Sequence, residues 1–135
     1  MTGNCSTLAL LAEEPGYVNI NPVDAQARGI KQDDLVWVFS RRGKIITRAE
    51  VDDRINEGTV YMTYQWWIGK CNELTIHAVD DKAATPEDKY SACQIEVIDD
   101  QVWAERYAME SYMKMKDQLT SEAAAQFASP PGGTA

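Results

Sequence analysis

LVWVFSRRGKIITRAEV, residues 35–51, contains two strand-like segments on either side of a short polar loop. The first segment, Leu35–Phe39, has no polar residue, which is typical of a strand covered on both faces. The second, Lys44–Val51, places alternate side chains on opposite faces, as a strand does. The loop between them predicts a hairpin with Gly43 at positive φ. These residues therefore predict a protein built on a β-sheet.

Three shorter segments outside this hairpin also have the composition of strands: residues 17–20, 59–64 and 92–98. Before the hairpin, Asn21-Pro22-Val23-Asp24 predicts the start of a short helix, because Asn21 can cap the first turn and Pro22 needs no hydrogen bond there. We expect this helix to reach Arg28, with Gly29 as its left-handed stop. About six short strands with one connecting helix suggest a small closed or nearly closed β-barrel.

An amphipathic pattern follows the last predicted strand. Apolar residues recur at steps of three and four, the spacing of one helix face: Ala104, Ala108, Tyr112, Met115 and Leu119. Asp99 or Asp100 is expected to cap this helix, which should run for about five turns and dock on the barrel or on a neighbouring subunit. The expected division is a barrel in residues 1–99, a helix in residues 100–127 and a disordered tail in residues 128–135.

The composition argues against several classes of protein. At 135 residues the chain is long enough to bury one core. Its net charge of -8 argues against binding to nucleic acid or to an anionic membrane. No apolar run is long enough to span a bilayer and no signal peptide opens the chain. Three widely spaced cysteines and one histidine indicate neither a disulfide framework nor a zinc site, so we expect a protein of the reducing cytoplasm.

Residues 61–74, YMTYQWWIGKCNEL, form the most unusual segment. The segment begins as a strand and then follows neither a period of 2 nor one of 3.6. The adjacent Trp66 and Trp67 cannot both face one core, so at least one needs another partner. Gln65 and Asn72 add amide donors and acceptors beside this aromatic surface, which suits a flat ligand rich in heteroatoms or a contact between subunits. A loop that packs its own aromatic residues remains an equal alternative.

The other candidate sites have simpler explanations. Arg41 and Arg42 could bind a phosphate or carboxylate, but an exposed hairpin tip favours a solvated turn. The two Asp-Asp pairs, at residues 52–53 and 80–81, lack the spacing of a calcium loop. His77 lies in a polar loop, and Cys71 has no base near it in the sequence. We therefore expect no catalytic residue and no metal ligand in this chain.

Two motifs of this chain are similar to those of a known family. NPxDAxxxGI, residues 21–30, and DLVxVxSRRG, residues 34–43, resemble the C-terminal dinucleotide-binding domain of molybdopterin oxidoreductases. Residues 61–74, together with residues 1–5 and 85–87, resemble the last domain of formate dehydrogenases of the formate–hydrogen lyase type. The resemblance extends over about residues 1–125.

This resemblance implies a mainly β fold, a double-psi β-barrel with short connecting helices and a C-terminal amphipathic helix. It implies a domain that caps a bis(molybdopterin guanine dinucleotide) cofactor carrying molybdenum or tungsten, with no contact to the metal. The cofactor-contact candidates carried over from the family are Thr2, Gly3, Tyr64, Gln65, Trp66, Asn72 and Lys89. Amides and aromatic rings suit the pterins, and Lys89 suits a phosphate.

The chain also departs from the family. Asp88 stands where an aromatic residue is usual, which weakens the contact expected at Lys89. The first strand of the family domain would precede Met1, and the metal ligand, catalytic residues and iron–sulfur cysteines belong to earlier domains. We therefore expect a C-terminal piece, or a separately encoded piece, of a large subunit that oxidises formate to carbon dioxide. Its expected partners are the remaining domains of that subunit and, further, electron-transfer subunits.

A function of another class is the alternative. The chain could be a stand-alone β-barrel that binds another protein through the loop at Trp66 and Trp67 and through the C-terminal helix. Such a module would use the same aromatic residues but would need no cofactor. Cofactor retention and partner capture distinguish the two hypotheses.

Overall fold

The computed structural model of the chain describes residues 14–63, 66–76, 78–83 and 90–128, with the side chains of the last range described to residue 121. The strands are β1 (Tyr17–Ile20), β2 (Leu35–Phe39), β3 (Lys44–Val51), β4 (Val60–Met62) and β5 (Gln94–Val97). The helices are α1 (Pro22–Ala27) and α2 (Gln101–Ala128), with a single 3₁₀ turn at Cys71–Glu73. The predicted mainly β fold with a C-terminal helix is confirmed.

The described strands form one five-stranded sheet in the order β4-β1-β3-β2-β5. β2 and β3 form the predicted hairpin, in which Trp37 lies opposite Ile46. β1 pairs with β3 in parallel, with Val18 opposite Ala49, whereas β4 and β5 pair antiparallel with their neighbours. A parallel pair needs a crossover connection, so the sheet is not a simple meander.

Two strands are shorter than predicted. β4 covers residues 60–62 and starts after the predicted residue 59, whose N–H bonds to the Asn56 carbonyl in the preceding turn at 3.2 Å; residue 64 of the prediction lies outside the described residues. β5 covers residues 94–97 of the predicted 92–98. The ends of a strand follow its hydrogen bonds, which the composition of a segment does not reveal.

The start and stop signals of α1 are confirmed. The Asn21 side chain accepts a hydrogen bond from the Val23 N–H at 2.8 Å, and Pro22 occupies the first turn. Gly29 follows the helix with φ +66°, the left-handed conformation that glycine adopts at low cost. The short helix is fixed to the sheet by the buried Ala25.

The prediction that Gly43 has positive φ is wrong. Among the described glycines, positive φ occurs at Gly29, Gly58 and Gly69. Gly43 is required for a different reason, because a Cβ atom there would lie 2.7 Å from the Glu73 carbonyl oxygen. The hairpin loop therefore has a glycine so that the 3₁₀ turn can approach its backbone closely.

The sheet separates two apolar layers, since neighbouring residues of β2 point to opposite faces. Val36 and Val38 belong to the layer that includes α1, and Leu35 belongs to the layer covered by α2. β2 is therefore covered on both faces, as its sequence predicts. The layer under α2 consists of Leu35, Ile46, Ile68, Ile98, Ala104 and Ala108.

The apolar stripe of α2 is confirmed over its first part only. Ala104 and Ala108 are buried, and Tyr112 and Met115 pack against the same layer. Leu119, predicted to continue the stripe, is exposed, as is every side chain from residue 116 to 121. The helix spans 28 residues, and over residues 116–121, the last whose side chains are described, no apolar layer lies beneath it. Neither helix of the described residues is long and apolar enough to cross a membrane.

Candidate cofactor-contact loop

The structure describes two of the seven predicted contact residues. Trp66 and Asn72 lie in the described part of the chain, and the others fall outside it: Thr2, Gly3, Tyr64, Gln65 and Lys89. Their assignment as contact residues therefore remains a prediction. We refer to residues 66–69, which lie between β4 and the 3₁₀ turn in the sequence, as the tryptophan loop.

Trp66 is half-buried and has defined neighbours on three sides. Its indole N–H donates to the Thr63 hydroxyl oxygen at 2.5 Å, and its ring lies edge-on to Tyr17, with the ring centroids 6.3 Å apart. The ring also lies over Gly16, where a Cβ atom would come within 2.1 Å of the indole Cδ1. Because the indole donor is already used, Trp66 can offer a ligand ring surface but no free hydrogen-bond donor.

Trp67 lies among different neighbours. It lines a cavity of about 200 Å³ with Trp37 and Lys44 of the hairpin and with Tyr107 and Met115 of α2. The two indoles thus contact separate parts of the molecule, as expected for adjacent tryptophans. Trp67 belongs to the junction of sheet and helix, so Trp66 is the better candidate for contact with a ligand.

A carboxylate fixes the backbone of the tryptophan loop. Glu14 accepts hydrogen bonds from the Trp67 N–H at 3.1 Å and from the Ile68 N–H at 3.0 Å, one on each carboxylate oxygen. Sequence reasoning missed this residue, because Glu14 precedes Trp67 by 53 residues and no local motif links them. Gly69 then turns the chain with φ +77°.

Asn72 lies in the 3₁₀ turn, and its side chain is exposed. Its amide oxygen is 3.8 Å from the Cys71 sulfur, and its carbonyl accepts from the Thr75 hydroxyl at 3.0 Å. These contacts are separate from those of Trp66. The described residues thus do not bring Trp66 and Asn72 into one contact set.

The 3₁₀ turn is fastened to the hairpin through one carbonyl. The Leu74 oxygen accepts from the Ser40 hydroxyl at 3.1 Å, the Arg42 guanidinium at 3.2 Å and the Ser91 hydroxyl at 2.7 Å. Arg42 was a candidate for anion binding from the sequence, and the structure gives it this structural partner instead.

A larger cavity, of about 540 Å³, opens between α1, residues 58–60 and residues 90–95. The Asp24–Arg28 ion pair, 3.3 Å between charged atoms, lies at its wall, as does Cys93. Burial raises the pKa of the Cys93 thiol, which disfavours a reactive thiolate. In the part of the chain that the structure describes, no group of His, Cys, Asp and Glu residues is arranged to hold a metal ion.

The aspartate pairs contribute to turns. Asp52 binds the Arg54 guanidinium, and these hydrogen bonds lower the pKa of its carboxyl. Asp80 accepts the backbone N–H groups of Lys82 and Ala83 at 2.9 and 2.6 Å, which lowers its pKa in the same way. Turn formation accounts for both residues without a cation.

Each of the two described candidates has chemistry that suits a flat, polar cofactor, although the structure does not bring them into one contact set. Trp66 supplies a half-buried ring with its donor already satisfied, and Asn72 supplies an exposed amide. A pterin has a fused ring that can lie on an aromatic surface and an edge that an amide can recognise.

Comparison with known proteins identifies the family. Residues 1–92 match the family described as "Molydopterin dinucleotide binding domain". The chain is 55% identical to formate dehydrogenase H of Escherichia coli over 93% of its own length, which is 18% of that protein. It is 39% identical to the F420-dependent formate dehydrogenase subunit alpha of Methanocaldococcus jannaschii over 73% of its length, and 40% identical to a trimethylamine-N-oxide reductase of Vibrio vulnificus over 56%.

The chain spans less than a fifth of the length of these relatives, since it covers 18%, 14% and 9% of the three proteins. The family is named after the group that its members bind, so the cofactor class expected from the sequence, a molybdopterin dinucleotide, is confirmed. The resemblance expected from the residues 21–30 and 34–43 is confirmed as well. The chain belongs to the molybdopterin dinucleotide-binding domain family.

Proposed function

We propose that this chain is the cofactor-capping domain of a formate dehydrogenase-type enzyme. It covers a bis(molybdopterin guanine dinucleotide) cofactor that carries molybdenum or tungsten, and the parent enzyme oxidises formate to carbon dioxide. The observation that carries the proposal is the 55% identity to formate dehydrogenase H over 93% of the chain. The trimethylamine-N-oxide reductase match covers only 56% of the chain, which favours the formate enzymes as the functional class.

The proposed fold is a double-psi β-barrel over residues 1–99, followed by a helix over residues 100–127 that packs on the barrel. The parallel pairing of β1 with β3 inside an otherwise antiparallel sheet supports a barrel with crossover connections rather than an up-and-down barrel. The packing of Ala104 and Ala108 against the sheet supports a helix docked on the barrel.

The proposed contact residues have distinct tasks. Trp66 presents its ring to a pterin, and Asn72 reads the polar edge of the cofactor. Lys89 would pair with a phosphate of the cofactor. A local cation is needed there because the net charge of the chain, -8, repels an anion. The remaining proposed contacts are Thr2, Gly3, Tyr64 and Gln65.

The chemistry belongs to the cofactor and to other domains. The bound metal centre would supply the two-electron oxidation, and this chain would bind and orient the pterins and exclude water from them. The proposed partners are the remaining domains of the large subunit, followed by electron-transfer subunits, and the proposed location is the cytoplasm.

Reconstitution tests the proposal. The chain is mixed with a formate dehydrogenase large subunit that lacks its last domain, and retained pterin and formate oxidation are measured. Recovery of both supports the proposal, and no recovery at any ratio of the two chains refutes it. Trp66→Ala should reduce the recovered pterin, whereas Trp103→Ala, a matched loss of an indole on α2, should not.

One surface of α2 suits the rival function, a module that binds another protein, because it exposes aromatic side chains. On α2, Trp103 and Tyr107 stack with their centroids 5.1 Å apart, and both are exposed, at 37% and 43%. Trp37 lies beside them, and the Lys44 ammonium is 4.4 Å from its ring centre. Capture of a partner without pterin in the complex, lost in Trp103→Ala, together with pterin retention that Trp66→Ala does not change, would favour the rival.

A further inference from the structure

We propose that Glu14 and Gly16 are positioning residues that hold the tryptophan loop in the conformation in which Trp66 meets the cofactor. The inference rests on the proposed function, since it concerns the same loop. Neither residue is among the contact residues carried over from the family, and neither is expected to touch the cofactor itself.

The first step of the argument is the carboxylate. Glu14 is only partly exposed, and its two oxygens accept the N–H groups of Trp67 and Ile68 at 3.1 and 3.0 Å. Hydrogen bonds to an ionised acceptor are stronger than neutral ones, and two on one carboxylate also fix direction. The backbone that follows Trp66 is thereby held at two consecutive residues.

The second step is that Gly16 leaves room for the Trp66 indole. A Cβ atom on Gly16 would lie 2.1 Å from Cδ1 and 2.3 Å from Cγ of Trp66, so the indole occupies the space of a missing side chain. These atoms are close to the backbone of Trp66 and cannot yield by rotation of a flexible end. An alanine at position 16 would therefore displace the ring.

The third step is that the sheet holds Gly16 in place. Its carbonyl accepts hydrogen bonds from the hydroxyl of the fully buried Thr47 and from the Arg48 N–H, the latter at 3.0 Å. Both donors belong to β3, an interior strand of the sheet. Residues 14–16 thus connect β3 to the tryptophan loop, since Gly16 bonds to β3 and Glu14 bonds to the loop.

Together these contacts determine how Trp66 can be used. Gly16 lies under the ring, Tyr17 meets it edge-on and Thr63 takes its N–H. Each contact removes a direction in which the indole could turn, so little conformational entropy remains to be lost when a cofactor binds. Loss of Glu14 or enlargement of Gly16 should weaken cofactor retention without removing a contact atom.

The test uses Glu14→Ala, Glu14→Gln, Gly16→Ala, Trp66→Ala and the double variant Glu14→Ala/Trp66→Ala. Glu105→Ala is the matched control, because Glu105 also accepts two hydrogen bonds with its carboxylate but does so on α2. Amide hydrogen exchange is measured on the full chain. Pterin release is measured in the enzyme reconstituted from this chain and the remaining large-subunit domains.

We expect Glu14→Ala to speed exchange at Trp67 and Ile68 by roughly tenfold or more, because a hydrogen bond to a charged group commonly contributes that factor. Exchange in β2 and β3 should be unchanged. Pterin release should be accelerated as much as in Trp66→Ala, and the double variant should be no worse than Trp66→Ala alone. Glu14→Gln, which keeps one acceptor oxygen, should recover part of both effects.

Two results would overturn the inference. Unchanged exchange at Trp67 and Ile68 in Glu14→Ala would show that the carboxylate does not hold the loop. Normal pterin retention in Glu14→Ala and Gly16→Ala, with loss in Trp66→Ala, would refute the positioning role and leave the proposed function standing. Normal retention in all variants, Trp66→Ala included, would count against the proposed function itself.

Discussion

Arg48 in β3 and Glu105 in α2 form a two-point ion pair that joins the sheet to the C-terminal helix. One guanidinium nitrogen is 2.8 Å from Oε1 and donates to it, and the other donates to Oε2 at 3.1 Å. The same guanidinium donates to the Asp33 carbonyl, and the hydrogen bond to Glu105 raises the pKa of Arg48. Arg48 therefore connects the turn before β2, the strand and the helix.

Glu105→Gln should lower the free energy of unfolding modestly, by about 0.5–1 kcal/mol, because Glu105 is half exposed and its charge is screened. The loss should shrink as salt is added. Denaturant unfolding at low and high ionic strength measures both effects. Glu110→Gln, an exposed change on the same helix, is the control, and an equal loss in both variants would contradict a specific role for the pair.

The Asp52–Arg54 contact predicts a dependence of stability on pH. Hydrogen bonds from Arg54 hold the pKa of Asp52 below its ordinary value of 3.8. The folded state thus binds fewer protons than the unfolded state as pH falls. The stabilisation is complete above the ordinary pKa and is lost as pH falls through the lower, folded-state pKa.

Asp52→Asn should therefore destabilise the chain near pH 7, and its difference from the unchanged protein should diminish below about pH 4. Denaturant unfolding at several pH values measures this. Asp53→Asn removes the same charge one residue away while leaving the Arg54 hydrogen bonds in place. A difference that grows towards acid would contradict the assignment.

Local features of the fold could be predicted from the sequence because their causes lie within a few residues. Asn21 caps α1, Gly29 ends it, and Asp100 caps α2 by accepting the Trp103 N–H at 2.8 Å. The hairpin of β2 and β3 follows from the apolar run and the alternation around a short loop. In each case the sequence signal and the physical cause coincide.

Features that depend on distant residues could not be predicted. Gly43 was assigned to a left-handed turn, but the approach of Glu73, 30 positions further along the chain, is what requires a glycine there. The Glu14 carboxylate contacts the tryptophan loop across 53 residues. Leu119 fits the helical period, but whether a core lies beneath it depends on where the sheet ends. The spacing of apolar residues shows which face of a helix is apolar, but it does not show whether another element packs against that face.

The candidate site was predicted in two different ways. Composition identified the tryptophan loop as unusual, and the structure gives Trp66 and Trp67 separate neighbours there. Asn72 was indicated by its amide beside the tryptophans, whereas Lys89 came from the family resemblance alone, because a single lysine carries no local signal of a ligand.

Alanine substitutions at Gly69 and Gly29 can separate two costs to stability: that of a left-handed backbone and that of a close neighbour. Both have positive φ, at +77° and +66°. A Cβ atom at Gly69 would lie 2.7 Å from the Ile46 carbonyl oxygen, whereas nothing lies within 4 Å of one at Gly29. Gly29→Ala should cost about 1–2 kcal/mol for the left-handed conformation alone.

Gly69→Ala should cost about 1–3 kcal/mol more than that, because the backbone of β3 must also shift. Unfolding by denaturant in the two variants measures the difference. Equal losses would mean that the loop moves away from β3 without resistance, which the contact between Gly69 and the interior strand argues against.

Asn72 provides the last prediction, on the proposed site itself. Its side chain is exposed and contacts only the neighbouring Cys71 among the hydrogen bonds described for it, so Asn72→Ala should change the free energy of unfolding by less than about 0.5 kcal/mol. If the amide reads the pterin edge, the reconstituted enzyme should release pterin a few-fold to about tenfold faster, the factor that one hydrogen bond contributes. Asn56→Ala, which removes an exposed amide from the turn before β4, should leave release unchanged. Faster release in both variants, or in neither, would remove Asn72 from the proposed contacts.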